Sequence, residues 1–86
     1  MTRVQVRCAI EAQRVTVDNI DAVADWIGGH VCGIRLPIEC RVVQFTNHDQ
    51  AEQEAAVGEW IVRLQSAEGR RRGLVLAPDE FEDMFA

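Results

Sequence analysis

The sequence predicts an α+β fold: a small, mostly antiparallel sheet of four to five strands, one helix after the first strand and a short C-terminal helix, in the order β-α-β-β-β-β-α. Three observations predict it. Several segments alternate apolar and polar residues, as half-buried strands do. One segment carries apolar residues at helical spacing and ends in two glycines. The last residues begin with Pro78 and place aromatic residues at helical spacing.

Length and charge limit the possible classes of protein. The 86 residues predict one domain over residues 1–86, because so short a chain buries only one core. The longest apolar runs are a few residues and the first residues lack a secretory segment, so we expect a cytoplasmic protein with no membrane contact. The net charge of −5 argues against general nucleic-acid binding. All 9 basic residues are Arg, which indicates a GC-rich coding sequence.

The first strand is predicted from Val4 to Ala12, where the even-numbered positions are apolar and form the buried face. A helix follows, with Asp18 as the residue whose side chain accepts hydrogen bonds from the first free N–H groups. Its core-facing residues are Ile20, Val23, Ala24 and Ile27. Gly28 and Gly29 end this helix, because glycine adopts the left-handed C-terminal conformation without steric cost.

Alternation over residues 32–42 predicts one long strand or two shorter ones. Pro37 lacks an N–H group, which fits an edge strand or a break near Leu36. The phase then changes and leaves Val43 and Phe45 on one face, as at a β-bulge or a strand end.

The second half of the chain predicts a loop, a hairpin and a helix. Residues 46–55 are polar and acidic, so we expect a solvated loop that could include one helical turn. Residues 60–64 and 74–76 should pair as a hairpin with Trp60 on its inner face. Pro78 is the predicted first residue of the last helix, and Phe81 should dock in the core.

The sequence gives little support for chemistry at a metal or a thiol. Cys8, Cys32 and Cys40 are an odd number and lie on apolar phases, so we expect reduced, buried thiols. The histidines, His30 and His48, have poor spacing for zinc with these cysteines. We also find no P-loop, dinucleotide-binding or nucleophile motif, and we expect no enzyme activity, no catalytic residues, no metal and no cofactor.

Three groups of short motifs occur in order along the chain. Residues 10–13, 18–20 and 26–29 read Ile-Glu-Ala-Gln, Asp-Asn-Ile and Trp-Ile-Gly-Gly; residues 58–63 read Gly-Glu-Trp-Ile-Val-Arg, and residues 78–82 read Pro-Asp-Glu-Phe-Glu. This order resembles a family of small uncharacterised proteins encoded by bacteriophages and prophages, which carry Gly-Asp-Trp-Ile-Ile-Arg and Pro-Asp-Ile-Phe-Glu. Before the Pro-Asp motif the family usually has Gly-Glu-Phe-Tyr-Pro-Cys-Lys, whereas this chain has Gly-Leu-Val-Leu-Ala at residues 73–77.

The resemblance implies an accessory protein of a phage, and the all-Arg composition suits a phage of a GC-rich actinobacterial host. Such a protein would act in the cytoplasm of the host cell. The shared residues also have a purely structural explanation, because Trp60, Pro78 and Phe81 are residue types that define a fold.

Arg70, Arg71 and Arg72 form the one concentrated charge feature, at the predicted hairpin tip. Guanidinium groups there could bind phosphate or a carboxylate-rich protein surface, or could simply be solvated. Two functions remain open. The first is a non-catalytic module that binds a host protein through a sheet edge or the last helix with these arginines. The second is a binder that sequesters a nucleotide signal in counter-defence, with Trp26 or Trp60 stacking on the base.

We also expect a homodimer. Pro37 and the end strands would leave sheet edges to be covered, and a small core benefits from additional burial.

Overall fold

The computed structural model describes residues 8–47, 49–66 and 71–85, and these residues form an α+β fold. Within these ranges the strands are β1 (Cys8–Arg14), β2 (His30–Cys32), β3 (Val42–Thr46), β4 (Glu52–Ala56), β5 (Trp60–Ser66) and β6 (Arg71–Leu76). The helices are α1 (Ile20–Ile27) and α2 (Pro78–Phe85), and a single 3-10 turn covers Ile38–Cys40.

The strands form two antiparallel sheets of three strands each. Sheet A has the order β1-β5-β6, and sheet B has the order β2-β3-β4. The prediction of one sheet with four to five strands is therefore wrong. The missed strand is β4, in the segment predicted as a loop. Its residues are mostly polar because it lies at the edge of sheet B and buries only Ala55 fully.

The core lies between α1, sheet B and one face of sheet A. Its buried residues are Val15, Ile20, Val23, Ala24, Val43, Phe45, Ala55 and Ile61. The burial of Val43 and Phe45 confirms the predicted phase of β3. We call the face of sheet A that carries Ile61 its core face and the opposite one its outer face.

The predicted orientation of β5, with Trp60 on the inner face, is wrong. Ile61, which belongs to the core cluster, points to the core face, so its neighbour Trp60 lies on the outer face. Val62 shares the outer face with Trp60 and is only 2% exposed, although it lies outside the core cluster. The central strand β5 is therefore covered on both faces, which single-strand alternation could not distinguish.

The same phase places the apolar residues of β1 on the outer face. Ile10 pairs with Leu64 and Ala12 with Val62, and both β1 residues are exposed instead of buried as predicted. The core contribution of this segment comes from Val15, just after the strand. Val4 and Val6 lie outside the described residues.

The N-cap position of helix α1 is occupied by Asn19 and not by the predicted Asp18. The Asn19 side chain caps no helical N–H group; its Oδ1 accepts a hydrogen bond from Thr16 N at 2.8 Å and its Nδ2 donates to Arg14 O at 2.9 Å. These bonds hold the turn between β1 and α1. Gly28 ends the helix with φ 76°, and this confirms the predicted left-handed C-cap.

The alternating segment 32–42 is not a long strand. Gly33 has φ 83°, and Leu36 N donates to Gly33 O at 2.8 Å, so the chain turns directly after β2. It breaks again beside Pro37, where the 3-10 turn begins. Because the segment leaves the sheet, Cys40 is exposed and Cys32 half-buried, contrary to the prediction that both are buried.

Strands β5 and β6 pair as the predicted hairpin, with Trp60 opposite Leu76 and Leu64 opposite Arg72. Helix α2 follows directly and begins at Pro78, as predicted. Glu80 Oε1 accepts a hydrogen bond from Ala77 N at 3.1 Å, which is half of a capping box. Helix α2 packs on the outer face, so Phe81 is half-buried there and not in the core.

Candidate functional site

The three predicted arginines are only partly within the described residues. Arg70 lies outside them, and for Arg71 the structure describes the backbone at the start of β6. Arg72 is an exposed residue of β6 opposite Leu64. Arg72 thus belongs to the strand, on the outer face of sheet A.

Trp26 lies at the end of α1 over the core face of sheet A. The guanidinium carbon of Arg63 stands 4.6 Å from the centre of its ring, a cation–π contact. Arg63 also donates from Nη1 to Trp26 O at 2.8 Å. One face of this indole ring is therefore occupied by a side chain of the same molecule.

Glu11 completes this group from β1. Its Oε2 lies 3.0 Å from Arg63 Nη2 and accepts a hydrogen bond from Trp26 Nε1 at 3.3 Å. The hydrogen bond from Arg63 lowers the pKa of the Glu11 carboxyl, and the bond from Trp26 and the charge of Arg63 lower it further. Glu11, Trp26 and Arg63 thus attach α1 to sheet A.

Trp60, the second predicted tryptophan, stacks on Phe81 of α2. The ring centroids are 3.8 Å apart and the planes differ by 3°. Phe81 in turn contacts Phe85 at 4.9 Å between centroids. This aromatic group holds α2 on the outer face of sheet A.

Trp26, Trp60 and Arg72, the predicted binding residues whose side chains the structure describes, do not lie together. Trp26 lies on the core face of sheet A and Trp60 on the outer face, so one ligand cannot contact both. Trp60 and Arg72 share the outer face, but Arg72 pairs with Leu64, four residues from Trp60 along β5. That distance is about 13 Å along an extended strand.

A surface that the sequence did not predict lies between β2 and β3. Ile34, Leu36 and Ile38 form an apolar loop, and Ile34 is 72% exposed. We call these three residues the apolar loop. The alternating pattern suggested that they are buried in a strand, but Gly33 and Pro37, which interrupt the segment, are sequence features that could have indicated a loop.

The side chain of Arg41 fixes the backbone of the apolar loop by two hydrogen bonds. Its Nε donates to Leu36 O at 3.2 Å, and its Nη2 donates to Ile34 O at 3.1 Å. Together with the Gly33 turn and the 3-10 turn, these bonds satisfy backbone groups that a loop usually leaves to water. The loop therefore presents its apolar side chains from an ordered backbone.

The cysteine and histidine side chains that the structure describes, those of Cys32, Cys40 and His30, do not form a metal-binding cluster. Cys32 Sγ donates to Gln44 Oε1 at 3.2 Å, and Cys40 and His30 are exposed. His48 lies outside the described residues. Within the described part of the chain, no three His, Cys, Asp or Glu side chains are grouped so that they could hold a metal ion.

No family model, curated protein or solved structure matches this chain. The resemblance to phage-encoded proteins therefore stays a prediction. In residues 8–47, 49–66 and 71–85, neither helix is long and apolar enough to cross a bilayer.

Proposed function

We propose that the protein is a non-catalytic binding module with which a phage engages a protein in the cytoplasm of its bacterial host, and that it acts as a homodimer. The observation that carries this proposal is the apolar loop. Single exposed apolar side chains are common on proteins, but here three large ones are exposed within residues 34–38 of one loop, and concentrated apolar exposure marks interaction sites.

The hydrogen bonds that Arg41 donates to the backbone of the apolar loop support a binding role for this loop. A loop that is already ordered loses little conformational entropy on binding, so more of the burial free energy remains as affinity. Arg35, between Ile34 and Leu36, and Glu39, after Ile38, are exposed charged residues of the same loop. Protein interfaces combine apolar side chains at the centre with polar ones at the rim, and this loop offers both kinds.

The homodimer is supported by Ile10 of β1. The alternation of that strand predicts a buried residue, yet Ile10 is 58% exposed in the single chain. A second copy would bury it.

The alternative, sequestration of a phosphate-containing nucleotide signal, has less support. Trp26 and Trp60 each have one ring face occupied within the molecule, by Arg63 and Phe81. Arg72 is remote from both rings. A thermal shift induced by a nucleotide would favour this alternative over the protein-binding module.

Affinity purification from lysate of a GC-rich actinobacterial host tests the proposed function. We expect the tagged protein to retain one host protein in stoichiometric amount, and Ile34→Glu with Leu36→Glu to lose it. Val17→Glu is the matched control, because Val17 is an exposed apolar residue in the turn before α1. A wild-type protein that retains no host protein, or a partner that survives the double substitution, would contradict the proposal.

A further inference from the structure

The outer face of sheet A is an apolar surface that one chain covers only in part. The residues on this face whose side chains the structure describes are Ile10, Ala12, Arg14, Trp60, Val62, Leu64, Arg72, Leu74 and Leu76. Of these, all but Arg14 and Arg72 are apolar. The apolar phase of three neighbouring strands thus points away from the core cluster, so the core does not cover these side chains.

Helix α2 covers one end of this face. Phe81 stacks on Trp60, in the row that also contains Arg14 and Leu76. The row with Ile10 and Leu64 lies about 13 Å further along the strands. That distance is sufficient for one more helix, whose diameter with side chains is about 10 Å.

The apolar side of α2 is also incompletely buried. One turn beyond Phe81, Met84 is 61% exposed and Phe85 is 47% exposed. A single chain therefore has two apolar surfaces that are only partly buried: the C-terminal end of α2, and the part of the outer face of sheet A around Ile10. Both belong to the outer side of sheet A, as a two-fold interface requires.

The charges on these two surfaces are complementary. Helix α2 carries Asp79, Glu80, Glu82 and Asp83 and no basic residue. The charged residues that the structure describes on the outer face, Arg14 and Arg72, are both basic. The helix of one copy and the sheet of another would attract each other, whereas two helices or two bare sheet faces would repel.

We infer that a second copy of this chain covers the outer face of sheet A, with α2 of each copy lying over Ile10, Leu64 and Leu74 of the other. The inference rests on the proposed homodimer and names its interface. Met84 and Phe85 fill the bare row, and the acidic residues of α2 approach Arg72. The apolar loop lies outside this interface and stays available to a host protein.

Sedimentation over a range of concentrations tests this interface. We expect the wild-type chain to have twice its mass of 9.7 kDa. Ile10→Glu and Met84→Glu each place two unpaired charges in a two-fold interface and should raise the dissociation constant about a hundredfold. Both residues are exposed in the single chain, so circular dichroism should remain unchanged. Ile34→Glu, in the apolar loop, is the control and should leave the dimer intact.

A charge exchange tests the orientation of the two copies. Arg72→Glu alone and Glu82→Lys with Asp83→Lys alone should each weaken self-association, while an equimolar mixture should form a heterodimer by native mass spectrometry. A monomeric wild-type chain in concentrated solution, a dimer that tolerates Ile10→Glu and Met84→Glu, or a mixture without heterodimer would overturn the inference. Because host binding is measured separately with Ile34 and Leu36, failure of the interface and failure of the proposed function give different results.

Discussion

The side-chain amide of Asn47 pairs with both backbone polar groups of Gly73. Asn47 Oδ1 accepts from Gly73 N at 2.8 Å, and Asn47 Nδ2 donates to Gly73 O at 3.2 Å. Asn47 follows β3 in sheet B and Gly73 lies in β6 of sheet A, so these bonds connect the two sheets. A Cβ atom at position 73 would stand 2.8 Å from Phe45 Cζ, which is why only glycine fits there.

Replacing Asn47 should destabilise the protein. Asn47→Ala leaves the buried N–H and C=O of Gly73 without partners, and we expect a loss of about 2 to 4 kcal/mol in the free energy of unfolding. Urea denaturation measures it. Thr46→Ala, at the exposed neighbouring position, should change the same quantity by less than about 1 kcal/mol. Equal losses in the two variants would contradict a specific role for Asn47.

The contact between Glu11 and Arg63 should make stability depend on pH. The folded state lowers the pKa of Glu11 below its ordinary value of 4.5, so its stabilisation is present above that value and is lost as pH falls through the lowered one. Wild type should therefore exceed Glu11→Gln in free energy of unfolding at neutral pH, and the difference should shrink in acid.

Denaturation curves at several pH values check this expectation. In an Arg63→Gln background, which removes the main cause of the lowered pKa, Glu11→Gln should lose most of its pH-dependent effect. A difference between wild type and Glu11→Gln that stays constant from about pH 7 to pH 3 would count against the contact.

The stacked pair of Trp60 and Phe81 should show a measurable coupling energy. A double-mutant cycle with Trp60→Leu and Phe81→Leu should give about 0.5 to 1.5 kcal/mol, because stacked aromatic rings interact beyond their buried area. The control cycle combines Phe81→Leu with Trp26→Leu. These two residues lie on opposite faces of sheet A, so their effects should add. Equal coupling in both cycles would contradict a direct interaction.

Two adjacent glycines should respond differently to alanine. Gly28 has φ 76° with open space around its Cα, so Gly28→Ala should cost about 1 to 2 kcal/mol through backbone strain. A Cβ at Gly29 would lie 2.9 Å from Phe45 Cβ and against the Gln44 carbonyl, so Gly29→Ala should cost more, about 3 kcal/mol. Thermal and urea unfolding give both values, and the reverse order would show that packing around Gly29 is looser than the structure indicates.

Local features of the sequence predicted several elements correctly. The end of α1 at Gly28, the β5–β6 hairpin and the start of α2 at Pro78 each depend on contacts or backbone preferences within a few residues. Such interactions are visible in a short window of sequence. The candidate binding surface was not visible, since the apolar loop has the alternating pattern of a strand and leaves the sheet only because of the Gly33 turn and the break at Pro37.

The sequence by itself determined that the strands of sheet A have an apolar phase, that α1 ends at glycine and that α2 is acidic with aromatic residues on one side. Tertiary structure alone decided which face of sheet A meets the core and that Glu52–Ala56 forms a strand. The physical reason is that alternation shows two different faces without saying which one is buried, and an edge strand such as β4 is stabilised by backbone hydrogen bonds to β3, which leave little trace in its side chains.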